Sequence, residues 1–519
     1  MPYSRQKNEE MPYSRQKNKK DPKIKIFRKR GEKMIQGFDN EKYKKMQSDQ
    51  IRKRINSFGD KLYLEFGGKL FDDNHASRVL PGFQPDSKLQ MLLELKDEAE
   101  VVFVVSAKDI EDNKVREDIG ISYDEDVLRL IDVYRQTGLF VSSVVITKYS
   151  GQKSAQKLKR RLTKKDINVY YHYVIDGYPT DTHKIISKEG FGKNDYIETQ
   201  RRLVVVTAPG PGSGKMATCL SQLYHDHIRG IQAGYAKFET FPVWSLPLNH
   251  PVNLAYESAT ADLDDKNMID PYHLEAYQKV AINYNRDIEI FPVLRRMFEE
   301  IYGSSPYQSP TDMGVNMAGF CIADDEVVQK AAKQEIIRRY FATRNRYLQD
   351  ICGRDELNIQ EMLLQQCGLT PEDRACVAAA RKHEAQRGVV CGAMEFDDGM
   401  MILSANNNFM GPSAGLVMNA IKKLANIKDD VLLIEPDVFI PIQHLKTEYM
   451  GAQNPRLHVY ETLIALSMSA KTNEQAAKAL SMLPQLKGAQ AHLTSSLSET
   501  DLNTFNALGI QVTFEPEKK

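Results

Sequence analysis

Cysteine is scarce in this sequence, with six in 519 residues, no CxxC pair and no histidines at zinc-ligand spacing. This scarcity argues against a disulfide framework and a structural zinc site, and it favours a reducing compartment. No run approaches the roughly 18 consecutive apolar residues that a membrane span needs. No apolar signal segment stands at the start either, so we expect a cytoplasmic protein with no membrane partner.

An excess of charge of one sign is also missing. Seventy Lys and Arg residues against sixty-nine Asp and Glu residues leave a net charge of +1, and we therefore expect no nucleic-acid partner. The hydrophobic fraction of 42% and the charged fraction of 27% are typical of a globular protein. A chain of this length predicts two or three domains.

The sequence divides into four segments. Residues 1–36 contain a tandem near-copy, MPYSRQKNEE followed by MPYSRQKNKK, and predict a disordered or artefactual leader; a nucleic-acid-binding arm is the alternative. Residues 37–324 predict an N-terminal α/β P-loop-like domain. Residues 325–387 predict a helical segment that could serve oligomerisation, so a homo-oligomer is expected. Residues 388–519 predict a smaller C-terminal α/β domain.

Short apolar runs alternate with helical patterns through the N-terminal domain. VVFVV (101–105) and LVVVT (203–207) are typical of strands buried on both faces. The alternation predicts an α/β fold with a doubly wound, mostly parallel sheet and right-handed crossovers. In the C-terminal domain, VLLI (431–434) and VFIPI (438–442) are also interpreted as strands.

The strongest functional signal is a glycine-rich turn between a strand and a helix, in LVVVT-APGPGSGK-MATCLSQLYHDHI. Glycine lacks a Cβ atom, so the backbone can bring successive N–H groups round an anion, and the following helix adds the positive end of its dipole. Lys215 would reach a β or γ phosphate and is predicted to be catalytic. The predicted phosphate-binding residues are Gly210, Gly212, Ser213, Gly214 and Lys215.

This turn departs from the Walker A pattern in two places. Pro209 stands at the first glycine of the pattern, and Met216 stands where a Ser or Thr ligates Mg²⁺. Thr218 lies roughly 200° round the helix from Met216 and is a poor substitute. We expect ATP or another nucleotide as the cofactor, while a requirement for Mg²⁺ and any metal site stay open. The alternative is a connection in which the glycines only permit tight packing.

A second polar group follows the first predicted strand, in GGKLFDDNHASRVLPGF. It lies at the edge where α/β sheets bind ligands. Asp73 and His75 are the predicted catalytic residues of this loop, and Asp72 and Arg78 are predicted to bind substrate. A surface loop with satisfied hydrogen bonds is the alternative.

Residues 241–320 are rich in proline, asparagine and aspartate and predict long loops with short helices. Loops of this kind often build the substrate site of an α/β fold. Within them, AINYNRDIE provides a polar cluster between apolar residues. Asn285 and Arg286 are its predicted substrate-binding residues.

A GPSAG turn in the C-terminal domain gives a different hypothesis. Ser413 of this turn and Lys446 of VFIPIQHLKTE resemble the dyad of Lon-type Ser–Lys peptidases, so Ser413 is the alternative nucleophile. Gln443-His444 stand where that family has Gly-Gly, and its catalytic lysine aligns with Glu448-Tyr449 rather than with Lys446. A serine that caps a helix is the other interpretation.

Several long motifs in order resemble one bacterial family, that of domain of unknown function 1846. They are EFGGKLFDDNHASRVLPGF, ISYDEDVLRLID, VVVTAPGPGSGKMATCLSQLYHDH and LGIQVTFEP, and the resemblance covers nearly everything from Gly37 to Pro516. It implies a cytosolic protein with a P-loop-like N-terminal α/β part and a separate C-terminal domain. It supplies no activity, although members have been labelled ATP-dependent peptidases.

The sequence thus predicts an intracellular protein that binds a phosphorylated small-molecule ligand, as an enzyme of phosphoryl transfer or of ATP-dependent small-molecule activation. It does not decide whether the protein is an enzyme, for example a nucleotide-dependent transferase or hydrolase. A Lon-like Ser–Lys peptidase and a non-catalytic anion-binding scaffold are the alternatives.

Overall fold

The computed structural model describes residues 37–68, 70, 73–116 and 120–516. Residues 1–36, with the duplicated decapeptide, and Asp72 therefore lie outside the described residues. The strands, in chain order, are β1 (Lys61–Phe66), β2 (Ala99–Ser106), β3 (Val115–Arg116), β4 (Ile121–Ser122), β5 (Phe140–Tyr149), β6 (Asn168–Tyr173), β7 (Leu203–Thr207), β8 (Ala233–Phe238), β9 (Asn267–Ile269), β10 (Ile282–Tyr284), β11 (Gly314–Val315), β12 (Cys391–Glu395), β13 (Met401–Ala405), β14 (Gln490–Leu493) and β15 (Gln511–Phe514).

Helices surround these strands. The α-helices, in chain order, are α1 (Asn40–Phe58), α2 (Asn74–Val79), α3 (Ser87–Glu94), α4 (Ala107–Glu111), α5 (Tyr123–Gln136), α6 (Lys153–Thr163), α7 (Thr182–Ile185), α8 (Lys215–Ile228), α9 (Pro251–Ala259), α10 (Pro271–Tyr277), α11 (Asn285–Tyr302), α12 (Pro310–Met313), α13 (Asp325–Leu348), α14 (Arg354–Gln366), α15 (Ala375–Arg387), α16 (Pro412–Leu424), α17 (Pro436–His444), α18 (Val459–Ser469), α19 (Glu474–Leu480) and α20 (Glu499–Ala507). Within the described ranges, no helix is both long and apolar enough to cross a bilayer.

The large parallel sheet predicted from the sequence is confirmed. It has seven strands in the order β11-β8-β1-β7-β2-β5-β6, and every neighbouring pair is parallel. The apolar runs form the centre of the sheet, where every residue of β2 and β7 is buried. Such strands need cover on both faces.

Helices supply this cover on opposite faces of the sheet. Leu62 and Leu64 of β1 pack in one core with α1, α3, α5 and α6, whereas Tyr63 packs in another with α8 and α11. The chain runs from β1 outward to β6, then returns to place β7 between β1 and β2. The helices after β1 and β7 thus lie on opposite faces, which makes the carboxyl ends of these strands a topological switch point.

The helical segment packs beside the loop that follows β1. Ile336 of α13 shares a core with Ala76 of α2, Val252 of α9 and Leu363 of α14. This packing places the polar side of α13 next to α2, where the sequence predicts site residues.

A separate, smaller sheet forms the C-terminal part, in the order β13-β12-β14-β15. β12 is antiparallel to both of its neighbours, and β14 and β15 are parallel. Leu416, Ile421, Leu466 and Phe505 belong to its own core.

Three interpretations of the sequence are wrong. VFIPI (438–442) lies in helix α17 rather than in a strand, and VLLI (431–434) is irregular. Short apolar runs do not distinguish a helix from a strand, and Pro436 occupies the first helical position, where its fixed φ favours a helix. Long loops with short helices are predicted for residues 241–320, whereas the structure has the 18-residue helix α11 in this range.

Candidate functional site

The predicted glycine turn connects the end of β7 to the start of α8. Gly212 and Gly214 have φ angles of +72° and +93°, in the left-handed region that glycine adopts at no steric cost. A Cβ atom at Gly210 would overlap the hydroxyl group of Tyr123 in α5. The positive φ angles favour glycine at positions 212 and 214, and the contact with Tyr123 requires glycine at position 210. Together these constraints explain the spacing of the glycines in the turn.

Among the described residues, carbonyl groups of the turn have hydrogen-bond partners, whereas several of its N–H groups have none. The Thr147 hydroxyl donates to the Ser213 carbonyl at 2.6 Å, and the Lys148 ammonium group donates to the Gly212 carbonyl at 3.1 Å. The N–H groups of Gly210, Gly212, Ser213 and Gly214 donate a hydrogen bond to no residue that the structure describes. Successive unpaired N–H groups at a helix N-terminus attract anions.

Lys215 adds a half-buried cation at the first position of α8. Its ammonium group has no hydrogen bond or ion pair among the described residues. Burial and the charge of Glu65 raise the pKa of the Cys219 thiol, and Lys215 opposes this rise. Lys215 and Glu65 therefore both lie near Cys219, and Glu65, at the carboxyl end of β1, accepts a hydrogen bond from the Tyr235 hydroxyl at 2.7 Å.

The side-chain hydroxyl groups near the turn are occupied within it. The buried Ser213 hydroxyl donates to the Gly210 carbonyl at 2.9 Å, and the Thr218 hydroxyl donates to the Gly214 carbonyl at 3.0 Å. Met216 packs against the core. In the described ranges no group of three His, Cys, Asp or Glu side chains could hold a metal ion.

The loop after β1 directs its side chains to other partners. Asp73 caps α2 through the Ala76 N–H at 3.1 Å and pairs with Lys88 at 2.7 Å. Burial alone would raise the pKa of Asp73, but Lys88 and the Ala76 N–H group together outweigh burial and lower this pKa. Asp73 is therefore held as a paired anion.

His75 and Arg78 both contact Glu335 of α13. The Arg78 guanidinium group donates to it at 2.8 and 3.1 Å, and His75 Nδ1 lies 3.4 Å from Glu335 Oε1. His75 Nε2 is buried with no described partner. Burial lowers the pKa of His75, so the ring is neutral at pH 7. No hydrogen bond joins the described residues of this group to the glycine turn.

Sequence reasoning misses a buried charged group at the end of β8. Lys237 donates to Asp287 and Tyr284 and lies 3.1 Å from Glu239. The Tyr284 hydroxyl donates to the same Glu239 oxygen at 3.1 Å. Burial raises the pKa of Glu239 to about 7, although Lys237 lowers it. This carboxyl group can exchange a proton near neutral pH.

A sequence signal for this group exists in AGYAKFET (233–240). Lys237 and Glu239 are two residues apart at a strand end, and residues with this spacing lie on the same face of a strand. The lysine belongs to a strand whose six residues are all buried. A charged residue in such a strand needs a partner of opposite charge.

The predicted substrate-binding residues Asn285 and Arg286 hold a neighbouring loop. Asn285 accepts a hydrogen bond from the Lys266 N–H at 3.0 Å and donates to the Asp264 carbonyl at 3.3 Å. Arg286 pairs with Asp265, with one hydrogen bond at 2.7 Å. Their described contacts are thus structural, and the adjacent Asp287 joins Lys237.

Two family models match this chain. The model described as "Domain of unknown function DUF1846, N-terminal" matches residues 36–368, and the model described as "Domain of unknown function DUF1846, C-terminal" matches residues 372–519. The chain belongs to this family. The resemblance stated from the motifs is therefore confirmed at the level of a family of unknown function.

Similar DUF1846 relatives occur in streptococci. A UPF0371 protein of Streptococcus thermophilus (strain CNRZ 1066) is 56% identical over 481 residues, and a UPF0371 protein of Streptococcus pneumoniae serotype 4 is 55% identical over 481 residues. Each match covers 93% of this chain and 97% of the relative. Neither description names an activity or a ligand.

Ser413, the alternative nucleophile, lies in the part matched by the C-terminal DUF1846 model. Its buried hydroxyl donates to Asp501 at 2.8 Å. Asp501 also accepts from His458 Nδ1 at 3.2 Å and from the Val459 N–H at 2.8 Å. Asp501 thus joins the N-terminal turns of α16, α18 and α20.

Lys446 is occupied elsewhere in the same part of the DUF1846 chain. Its ammonium group donates to the Arg456 carbonyl and to the Glu461 carboxylate, each at 2.8 Å. The structure does not bring Lys446 and Ser413 into hydrogen-bond contact. A lysine that is ion-paired is a poor general base, because its pKa must fall for it to accept a proton.

Proposed function

We propose that this protein binds the phosphate groups of a nucleotide or another phosphorylated small molecule at Gly210–Lys215. The single observation that carries this proposal is the set of unpaired N–H groups at Gly210, Gly212, Ser213 and Gly214. Among these residues Ser213 is buried, Gly210 and Gly214 are half-buried and Gly212 is exposed. An anion can therefore reach the turn from solvent, and the buried Ser213 N–H group needs an acceptor. A phosphate oxygen at the start of α8 supplies it.

The charges around the turn favour the same ligand. Lys215 has no described counter-ion, and the α8 dipole adds a partial positive charge at the same place. Thr147 and Lys148 occupy two carbonyl oxygens that would otherwise repel an anion. The site lies at the switch point of the sheet, where the connections after β1 and β7 leave on opposite faces.

The proposed reaction class is phosphoryl transfer or ATP-dependent activation of a small molecule. Both reactions need a group that accepts or gives a proton. Two described groups fit this role: Glu239, whose pKa of about 7 allows exchange at neutral pH, and His75, whose Nε2 has no described partner. Asp73 is less suited because Lys88 holds it as an anion.

A thermal-shift titration tests the binding proposal. The full chain is heated with ATP, GTP, pyrophosphate or a sugar phosphate, each with and without Mg²⁺. A ligand present at about 100 times its Kd stabilises a protein by roughly 2.7 kcal/mol. We expect stabilisation by at least one phosphate compound in the wild type and in Lys471→Ala, a control at an exposed lysine, and its loss in Lys215→Ala. Equal shifts in all three proteins, or no shift with any phosphate compound, would overturn the proposal.

A further inference from the structure

We propose that Arg78, Arg338 and Arg339 form a second anion site, which binds a doubly charged oxyanion, either a phosphate monoester or a dicarboxylate. This site goes beyond the proposed function, because it uses α2 and α13 and shares no residue with the glycine turn. The family descriptions assign no residue in it.

One buried carboxylate holds all three guanidinium groups. Glu335 is 1% exposed, and it accepts from Arg78 at 2.8 and 3.1 Å, from Arg338 at 2.6 and 2.5 Å and from Arg339 at 3.0 Å. The cluster is therefore fixed in position before any ligand binds. Preorganisation of this kind removes part of the entropy cost of binding.

The positive charge of the cluster exceeds the negative charge around it. Three guanidinium groups share the single carboxylate of Glu335, and the nearby Asp73 is already paired with Lys88 at 2.7 Å. Among the residues that the structure describes, two positive charges of the cluster have no carboxylate partner of their own. Burial lowers the pKa of Arg78 and of Arg339, and Glu335 only partly opposes this effect.

Donors remain available on an accessible side of the cluster. Arg339 uses one of its five N–H groups on Glu335, and its remaining donors have no described acceptor. The side chains of Arg78, Arg338 and Arg339 are 20%, 20% and 30% exposed, so solvent reaches them. Planar guanidinium groups bind phosphate and carboxylate oxygens in pairs. A purely structural link between α2 and α13 needs only one arginine on Glu335.

Calorimetric titration of the full chain tests this site separately from the glycine turn. Inorganic phosphate and malonate are titrated into the Lys215→Ala variant. Because the proposed nucleotide site is disabled in this variant, any dianion binding comes from another site. We expect at least one dianion to bind. Phosphate binding without malonate binding indicates a phosphate monoester, and the reverse indicates a dicarboxylate.

Variants of the cluster then locate the dianion, all in the Lys215→Ala protein. We expect Arg339→Gln to weaken binding by about tenfold or more, since a charge-assisted hydrogen-bond pair is lost. Arg295→Gln, at an exposed arginine of α11, should leave binding unchanged. No binding of either dianion, or equal affinities in Arg339→Gln and its parent, would overturn the proposal.

Discussion

The hydroxyl group of Ser413 donates a 2.8 Å hydrogen bond to the Asp501 carboxylate. The bond joins the first turn of α16 to the first turn of α20, and Asp501 also accepts from the Val459 N–H at the start of α18. The serine that resembles a peptidase nucleophile thus links the N-termini of helices. A carboxylate at helix N-termini is favoured by their dipoles.

Loss of the Ser413 hydroxyl should therefore affect stability. We expect Ser413→Ala to lower the free energy of unfolding by about 1–3 kcal/mol, because a buried hydrogen bond to a charged group is lost. Urea denaturation checks this value. A serine-directed fluorophosphonate probe should not label folded wild-type protein; labelling at Ser413 would restore the peptidase hypothesis.

The His458–Asp501 pair should make stability depend on pH. The hydrogen bond from His458 Nδ1 to Asp501 raises the pKa of His458 in the folded protein, against the effect of partial burial. Its stabilising contribution is therefore complete below the unfolded pKa, about 6.5, and is lost as pH rises through the higher folded value. His458→Gln should lower Tm more at pH 5.5 than at pH 9, in thermal melts at both pH values. An equal loss at the two pH values would contradict this assignment.

Glu515 should show the opposite dependence. Burial would raise its pKa, but His492, with Nε2 3.6 Å from the carboxylate, and hydrogen bonds from Arg381 outweigh burial and lower the pKa of Glu515 to about 2. The carboxylate also accepts from Arg344 of α13 at 2.7 Å, so it connects the residues of the two family models. We expect Glu515→Gln to cost about 2–3 kcal/mol at pH 7.

The sign of this effect follows from the lowered pKa. The contribution of Glu515 is present above its unfolded pKa, about 4.3, and is lost as pH falls towards 2. Chemical denaturation at pH 7, 5 and 3 measures the difference between wild type and Glu515→Gln. A difference that does not shrink below pH 4 would show that Glu515 is not stabilised as an anion.

Two glycines provide a matched test of the turn. Gly212 and Gly451 have the same φ of +72°, and a Cβ atom at either position would meet nothing within 4 Å. Alanine at either site should cost about 1–2 kcal/mol through backbone strain. Only Gly212→Ala should weaken the binding of ATP or pyrophosphate, which calorimetry measures. Equal weakening by both variants would indicate a general loss of stability rather than a specific site.

The sequence predicts those elements of the fold that a local pattern determines. The strands β2 and β7 and the turn before Lys215 follow from apolar runs and glycine spacing. The Glu335 partner of Arg78 does not, because the two residues are 257 positions apart and only the packing of α13 against α2 joins them. The site at Lys237 is not predicted from the sequence because its strand, AGYAKF, lacks an apolar run. The strand predicted for VFIPI is wrong because a short apolar run fits both a helix and a strand.

Binding of phosphate oxygens by the N–H groups of the turn can be observed at the individual glycines. The most direct measurement is a TROSY spectrum of ¹⁵N-glycine-labelled protein titrated with ATP and with pyrophosphate, with signals assigned through glycine-to-alanine variants. We expect the Gly212 and Gly214 amide signals to shift with added ligand, whereas those of Gly451 and Gly488 should stay in place. Unchanged Gly212 and Gly214 signals at a ligand concentration that saturates binding would contradict it.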